Sequence, residues 1–186
     1  ERENLVNHIH LPLQAGSDRI LKLMNRNYTS EEYLRKINYI RTKIPDCAIT
    51  TDIIVGFPGE EKEDFQKTLE IVKRVRFNRA FTFIYSPRKG TRASMMADYV
   101  SREEKEAWFK ELVSVQNEIS YEENKKLVGR RVKVLVEGES SKDSTMLEGR
   151  LESNIIVNFR GEKNLIGKFV EVKITEAKSF YLLGNL

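Results

Sequence analysis

The stretch "TTDIIVGFPGEEKEDF", residues 50–65, passes from an apolar, β-branched run through a turn containing glycine and proline into an acidic segment of helical period. β-Branched residues favour a strand. Acidic residues suit the first turn of a helix because they complement the positive end of the helix dipole. The stretch therefore predicts a strand, a tight loop and a helix, which together form the repeating unit of an α/β protein.

The same unit recurs on both sides of this stretch. Further strands are predicted over 8–13, "HIHLPL", and 79–87, "RAFTFIYSP", and helices over 18–25, 29–44 and 60–75. The order β-α-β-α-β implies a parallel sheet with right-handed crossovers. Three parallel strands leave an open edge beside residues 8–13, and such sheets are normally wider. We therefore expect the earlier strands of a longer protein at this edge, or dimerisation of the isolated chain through it.

A long helix and then a change of period mark the second half of the chain. Residues 101–127 begin with "SREE", a capping-box pattern, and place apolar residues such as Trp108 and Leu112 on one face. After Gly129, apolar and polar residues alternate between turns, which predicts a small antiparallel β barrel or sandwich. The predicted domains are therefore residues 1–127 and 128–186.

Composition narrows the class of protein. The 186 residues are 40% hydrophobic, enough for a core. No segment approaches the ~18 consecutive apolar residues of a membrane span. With one cysteine and no secretory signal, we expect a soluble protein of the cytoplasm. The formal net charge is +4, and the basic stretches 71–97 and 124–135 contain no acids, which fits either a polyanionic partner or a solvated helix face.

Three polar loops that contain glycine follow the predicted strands: "QAGSD", "GFPGE" and "SPRKGT". Ligands of parallel α/β sheets bind beyond the carboxyl ends of the strands, so these loops predict a small-molecule site. Gln14 and Ser17 have groups that hydrogen-bond a ribose or an amino acid, although Ser17 is better suited to cap the helix near Asp18. Asp52 interrupts an apolar strand, where a carboxylate is costly unless it binds a ligand or an ion-pair partner.

Metal and thiol chemistry find little support in the sequence. His8 and His10 are spaced to lie on one face of a strand, but no third ligand is near, which favours structural histidines over a metal site. Cys47 has neither a cysteine nor a histidine beside it and is predicted to be a buried, inert thiol. We predict no metal site in this chain.

Four longer motifs resemble one known family. They are "HIHLPLQAGSDRILKLMNRNYT" (8–29), "TTDIIVGFPGE" (50–60), "FTFIYSPRKGT" (81–91) and "GKFVEVKITEAKSFYLLGNL" (167–186). In this order they closely resemble the methylthiotransferases of the radical SAM superfamily, and most nearly the MiaB type, which acts on dimethylallyladenosine in tRNA. Residues 128–186 resemble a TRAM domain, an OB-like barrel. The resemblance implies the C-terminal part of a partial (β/α)6 TIM-like radical SAM barrel followed by this small all-β barrel.

The resemblance also implies a reaction for the parent enzyme. Such enzymes replace the C2 hydrogen of an adenine next to the tRNA anticodon with a methylthio group, using S-adenosylmethionine, two 4Fe-4S clusters and a reductant protein. The cluster cysteines of the family have no counterpart in this chain, and Cys47 matches none of them. We therefore expect the chain to contain no catalytic residue and to be inactive by itself.

Site residues follow from the matched motifs. The resemblance implies that the cofactor and substrate cavity is lined by Gln14, Ser17, Asp52, Val55, Gly56, Phe57 and Pro58. Gly56 and Gly59 would let the adenosyl part approach the backbone. Tyr85 and Arg88 are expected to contact ligand or RNA. The tRNA anticodon stem-loop is expected to contact Lys125, Arg130, Arg131, Lys133, Asn154, Asn158 and Phe159.

Two alternatives remain open. One is the related type that modifies an aspartate of a ribosomal protein, and the other is a binding module that acts alone on RNA. The motifs "LPLQAGS" and "TTDIIVGFPGE" and the basic linker "ENKKLVGRRVK" favour the tRNA type. Ala15 and Lys89 depart mildly from the usual pattern, in which serine and proline are common, and these departures bear on local ligand contacts only.

Overall fold

The computed structural model describes residues 7–141 and 143–186, which form two compact units. One unit contains His10–Pro45 and Ile49–Gln116. The other contains Asn117–Leu186, together with Asp46–Ala48 and residues 7–9. Among the helices described here, none is both long enough and apolar enough to cross a membrane.

The predicted parallel sheet is present. Its strands are β1 (His8–His10), β2 (Ala48–Val55) and β3 (Arg79–Ile84), in the order β1-β2-β3. β2 and β3 are parallel, with Asp52 opposite Phe81 and Ile54 opposite Phe83. β1 ends three residues earlier than predicted, and the chain then rejoins the sheet through a single bridge between Gln14 and Ile53. β1 is an outer strand of this sheet, as expected from the sequence.

In the described part of the chain, four helices accompany the strands: α1 (Asp18–Leu23), α2 (Ser30–Lys43), α3 (Lys62–Val75) and α4 (Arg102–Lys125). Thr29 caps α2 in a capping box, because its hydroxyl accepts from Glu32 N while the Glu32 carboxylate accepts from Thr29 N. One-turn 3₁₀ helices lie at Arg92–Met95 and Lys163–Leu165. The helical period therefore predicted α2, α3 and α4 to within a few residues.

The two faces of β2 differ in burial. Ile49, Ile53 and Val55 are fully buried, whereas Asp52 and Ile54 on the other face are half-buried. Phe65 of α3 and Trp108 of α4 are core residues as well, and their rings stack at a centroid distance of 5.3 Å. The alternation of β2 thus directs Asp52 away from this core.

The second unit contains a closed barrel of five strands. These are β4 (Arg131–Glu139), β5 (Leu147–Arg150), β6 (Ile156–Phe159), β7 (Phe169–Ala177) and β8 (Tyr181–Asn185). Their order around the barrel is β4-β5-β6-β8-β7. All neighbouring pairs are antiparallel except β6 and β8, which are parallel. The predicted β module is therefore a barrel rather than a sandwich, with one parallel pair that the sequence did not indicate.

Candidate functional site

A cavity of about 450 Å³ lies beside β2 and β3, at the rim where the sequence predicted a ligand. Its walls combine apolar surface with carboxylate, amide, hydroxyl and guanidinium groups. The lining residues are Gln14, Asp52, Ile54, Phe83, Ile84, Tyr85, Ser86, Arg88, Thr91 and Ala93. Four of the predicted ligand residues, Gln14, Asp52, Tyr85 and Arg88, are therefore brought together by the fold.

Gln14 is held in an unusual conformation at this cavity. Its φ of +66° lies in the left-handed region, which a residue other than glycine rarely occupies without a constraint. The constraint is the sheet, because Gln14 N donates to Asp52 O at 2.8 Å and Gln14 O accepts from Ile54 N at 2.9 Å. The side-chain Oε1 accepts from Arg26 Nη2 at 2.9 Å. Since arginine only donates, the Gln14 amide nitrogen is the end left to donate to a ligand.

Asp52 has a protein partner as well as a cavity position. Its Oδ2 lies 3.3 Å from His10 Nε2, and His10 Nδ1 lies 3.0 Å from Thr50 Oγ1. The Asp52 side chain remains 31% exposed. The functional and structural interpretations of Asp52 are thus compatible, because His10 orients the carboxylate without removing it from the cavity. His10 itself is a polar neighbour of the cavity rather than a core residue.

The loop after β2 is closed by its own carboxylate. Glu60, which is 2% exposed, accepts at Oε2 from Gly56 N at 2.5 Å and from Phe57 N at 3.0 Å. Burial raises the pKa of Glu60 to about 7, against the lowering effect of these two hydrogen bonds and of nearby Lys105. The backbone donors that a Gly-rich loop offers to an anion are therefore occupied by Glu60.

Glycine at position 56 is explained by its backbone conformation and by the nearby Lys105 side chain. The φ of Gly56 is +74°, and a Cβ at this position would lie 2.6 Å from Lys105 Cδ. Lys105 is itself buried and its Nζ pairs with Asp98. At Gly59, with φ of +84°, the nearest atom to a Cβ would be Leu23 Cδ1 at 3.6 Å. The side chain of Lys105 therefore approaches the backbone at Gly56.

The Ser17 side chain makes a contact other than the expected cap of α1 or ligand contact. Ser17 occupies the N-cap position of α1, but its hydroxyl makes no capping hydrogen bond, so the predicted capping role is wrong. Instead Ser17 Oγ donates to Asp64 Oδ1 at 2.6 Å, and the residue is 1% exposed. Arg19 and Glu61 N also donate to Asp64, and these hydrogen bonds lower its pKa in spite of its burial. Ser17 therefore connects the loop after β1 to the start of α3.

Tyr85 lies between two cavities. Its ring packs edge-on against Phe57 at a centroid distance of 5.1 Å, and its buried hydroxyl has no hydrogen-bond partner among the described residues. A second cavity of about 640 Å³ begins at Tyr85 and Ser86 and is also lined by Pro58 and Lys105. Phe57 is buried against the loop, and the Val55 side chain is in the core, so neither side chain faces the first cavity.

The residues of the second unit that were predicted to contact RNA differ in how exposed they are. Lys125, Arg130, Arg131 and Lys133 are all exposed, as RNA contacts require. Asn154 is exposed in a left-handed turn, and its Oδ1 accepts from Arg150 at 3.1 Å. Asn158 is half-buried, and its buried Oδ1 has no hydrogen-bond partner within residues 7–141 and 143–186.

The predicted RNA contact of Phe159 is wrong. This residue was expected to contact RNA, but it is 0% exposed in the barrel core and offers no face to a base. The alternation in "IIVNF" was the available signal, because Phe159 shares a phase with Val157 while Asn158 faces outward. An exposed ring that the sequence did not single out is Phe169, at the start of β7.

The chain does not provide a ligand set for an iron–sulfur cluster. Such clusters require several cysteine thiolates. Cys47 is the single cysteine of the sequence; as predicted, it is buried, and burial raises its thiol pKa. Within 7–141 and 143–186, no three His, Cys, Asp or Glu residues cluster as metal ligands.

Two family models match the chain in the regions just described. Residues 2–72 match the radical SAM superfamily, and residues 125–186 match the TRAM domain. The fold agrees, because coproporphyrinogen III oxidase (HemN) from Escherichia coli, described as a radical SAM enzyme, superimposes with a TM-score of 0.53. That similarity covers 62% of this chain and 27% of the oxidase at 22% identity, and it concerns the fold alone. These findings define a radical SAM protein that carries a TRAM domain.

Curated relatives narrow this class. A tRNA-2-methylthio-N(6)-dimethylallyladenosine synthase from Clostridium tetani is 55% identical over 185 residues, which is 100% of this chain and 41% of the relative. Synthases of the same name from Thermoanaerobacter sp. (strain X514) and Carboxydothermus hydrogenoformans are each 52% identical, over 99% and 96% of this chain and 39% and 41% of the relatives. The chain belongs to this family of radical SAM methylthiotransferases, and it spans about two fifths of the length of these relatives.

Proposed function

We propose that this chain is part of a radical SAM tRNA methylthiotransferase that modifies C2 of N6-dimethylallyladenosine next to the anticodon. The observation that carries the proposal is the match of 55% identity, which runs through both units of the chain to one synthase. In this proposal the α/β unit lines the cofactor and substrate cavity, and the barrel holds the anticodon stem-loop. The clusters belong to parts of the enzyme outside this chain.

The residues of the 450 Å³ cavity fit S-adenosylmethionine, an organic cation with nucleoside and amino acid parts. The exposed part of Asp52 offers a negative charge, the Gln14 amide nitrogen offers a donor, and Ile54 and Phe83 offer apolar walls. When bound and reduced, S-adenosylmethionine supplies the radical that activates an unreactive C–H bond. What this chain contributes is binding and orientation, with Arg26 and the strained backbone fixing Gln14 in advance.

RNA capture is assigned to the second unit. The exposed cations Arg131 and Lys133 lie near the start of β4, Arg130 directly precedes that strand, and Lys125 ends α4. Cations that track phosphates release counterions on binding, so the affinity should fall steeply with salt. Asn154 remains in the proposal as an exposed polar contact, and Phe159 leaves it.

The deciding experiment measures the affinity of the 186-residue chain for an adenine-containing anticodon stem-loop at two salt concentrations. A second protein ends at residue 127 and lacks the barrel. We expect binding that depends on salt in the full chain and its loss in the shorter protein. Replacing Arg130 and Arg131 together with Ala should lower the log–log salt slope by roughly 0.7 to 0.9 for each phosphate that is no longer neutralised.

Other outcomes would redirect the proposal. Equal binding by both proteins would assign RNA capture to the α/β unit. An absence of binding to RNA by the full chain, with binding to a ribosomal protein instead, would favour the enzyme type that modifies aspartate. Tight RNA binding by a natural protein of this length without cluster domains would favour a module that acts alone.

The remaining parts of the proposal concern the surroundings of the enzyme. If the substrate is tRNA, the enzyme acts in the cytoplasm. Reduction of a cluster requires an electron-donor protein. We further propose that the isolated chain dimerises through β1, because β1 is an outer strand of its sheet and outer strands are templates for pairing with another chain. Light scattering over a concentration series tests this, and a monomer throughout would contradict it.

A further inference from the structure

The outer face of the barrel formed by β4 and β7 carries one exposed aromatic ring among charged residues. Phe169 opens β7 and is 60% exposed. Its register partner on β4 is Leu135. The exposed residues that share this face are Arg131, Lys133, Glu171 and Lys173.

Lys133 and Phe169 are in contact. The Lys133 Nζ lies 4.6 Å from the centroid of the Phe169 ring, within the range of a cation–π interaction. A single exposed apolar side chain is ordinary on a protein surface. An exposed ring that lies against a cation on a regular strand is a more specific arrangement, because the ring is held in place while most of its surface stays in water.

The cations of this face form no ion pair with the carboxylates that the structure describes. Arg131, Lys133 and Lys173 have no carboxylate within ion-pair distance in the described part of the chain. The one acid of the face, Glu171, lies opposite Lys133 in the strand register. Three cations and one acid leave the face positive, so it complements a polyanion.

We infer that this β4–β7 face binds single-stranded RNA, with Phe169 stacking on one unpaired base and Arg131, Lys133 and Lys173 contacting the adjacent phosphates. The inference rests on the proposed function and identifies the part of the barrel that would meet the RNA loop. Exposed aromatic rings among cations are how proteins bind unpaired nucleotides, because every base has a face that stacks. A double-stranded stem would satisfy the cations but would leave the ring without a partner.

The test is fluorescence anisotropy of a labelled, adenine-containing anticodon stem-loop with the full 186-residue chain at two salt concentrations. Replacing Phe169 with Leu removes the stacking face but keeps an apolar side chain. We expect affinity to fall about fivefold or more with an unchanged salt slope, because stacking releases no counterions. Phe169→Trp keeps a stacking ring and should retain the wild-type affinity. Lys173→Ala should instead lower the log–log salt slope by roughly 0.7 to 0.9.

The matched control is Phe180→Leu. Phe180 is also aromatic and 54% exposed, but it lies between β7 and β8 rather than on the proposed face. Its replacement should leave RNA affinity unchanged. Circular dichroism melting of each variant reports whether the barrel is intact.

The outcomes separate this inference from the proposed function. Salt-dependent binding by the wild-type chain that is equally tight in the folded Phe169→Leu variant would overturn the inference and leave the proposed function standing. An absence of RNA binding by the wild-type chain at both salt concentrations would overturn the inference together with the RNA-capture part of the proposal. Loss of affinity in Phe180→Leu as large as in Phe169→Leu would also overturn the specific assignment of the ring.

Discussion

Glu60 is a buried carboxyl that accepts two backbone hydrogen bonds, and its pKa in the folded chain is about 7. In the unfolded chain a glutamate has a pKa of about 4.3. Because the folded state binds the proton more tightly, the contribution of Glu60 is fully present below about pH 4.3 and is lost as pH rises through about 7. The free energy at stake is roughly 4 kcal/mol.

We therefore expect the Glu60→Gln variant to be insensitive to this titration. The glutamine oxygen can accept from Gly56 N and Phe57 N without a charge. Urea unfolding of both proteins at pH 5 and pH 8 should show a difference in unfolding free energy that shifts in favour of the variant as pH rises. The same difference at both pH values would show that Glu60 does not titrate in this range.

Gly56 and Gly90 allow the cost of crowding to be separated from the cost of backbone strain. Both have positive φ, +74° and +84°, but a Cβ would meet Lys105 at Gly56 and nothing within 4 Å at Gly90. Gly90→Ala should lower the unfolding free energy by about 1 kcal/mol, the strain of a left-handed alanine. Gly56→Ala should lower it by at least about 2 kcal/mol, because the Lys105 stem must also move. Equal losses in thermal or urea unfolding would contradict the crowding at Gly56.

Asp64 joins two elements by accepting from Ser17, Arg19 and the start of α3. Asn at this position keeps the size but loses the charge that these donors stabilise. We expect Asp64→Asn to lower the unfolding free energy by roughly 2 to 4 kcal/mol. The control is Glu106→Gln, which breaks the exposed ion pair with Arg102 and should change stability by less than about 0.5 kcal/mol. A small effect at Asp64 would mean that Ser17 and Arg19 find other partners.

The elements themselves were largely readable from the sequence. Period 3.6 and the Thr29 cap predicted α2, and the alternation after Gly129 predicted the β module. The strand ends were less predictable, because β1 stops at His10 and Gln14 rejoins the sheet by a single bridge in a left-handed conformation. That conformation depends on hydrogen bonds to β2, which lies far along the chain.

The candidate site was predictable in position and less so in its contacts. The rule that ligands bind beyond strand ends brought Gln14, Asp52, Tyr85 and Arg88 to one cavity. The partners of these side chains were not readable, because Arg26 and His10 come from separate turns of the chain. The same limit applies to Gly56, whose neighbour Lys105 lies on α4 almost fifty residues further on.

The two compact units predict local rather than global effects of a core mutation. Phe159 fills the barrel core, and Phe159→Ala should destabilise that barrel by roughly 3 to 5 kcal/mol. Hydrogen exchange measured by mass spectrometry should accelerate in peptides from 131–185, while peptides from β2 and α3 keep their protection. Faster exchange throughout both units would show instead that the chain unfolds as one cooperative body.

The position of β8 in the barrel has a consequence for synthesis of the protein. β8 follows the other barrel strands in the sequence, yet it lies between β6 and β7 and pairs with both of them. On the ribosome, β4 to β7 emerge first and leave β6 and β7 with unpaired edges until Tyr181–Asn185 has left the exit tunnel. Closure of the barrel therefore has to wait for β8, and until β8 pairs, the core residues Phe159 and Val157 are open to contact with other chains.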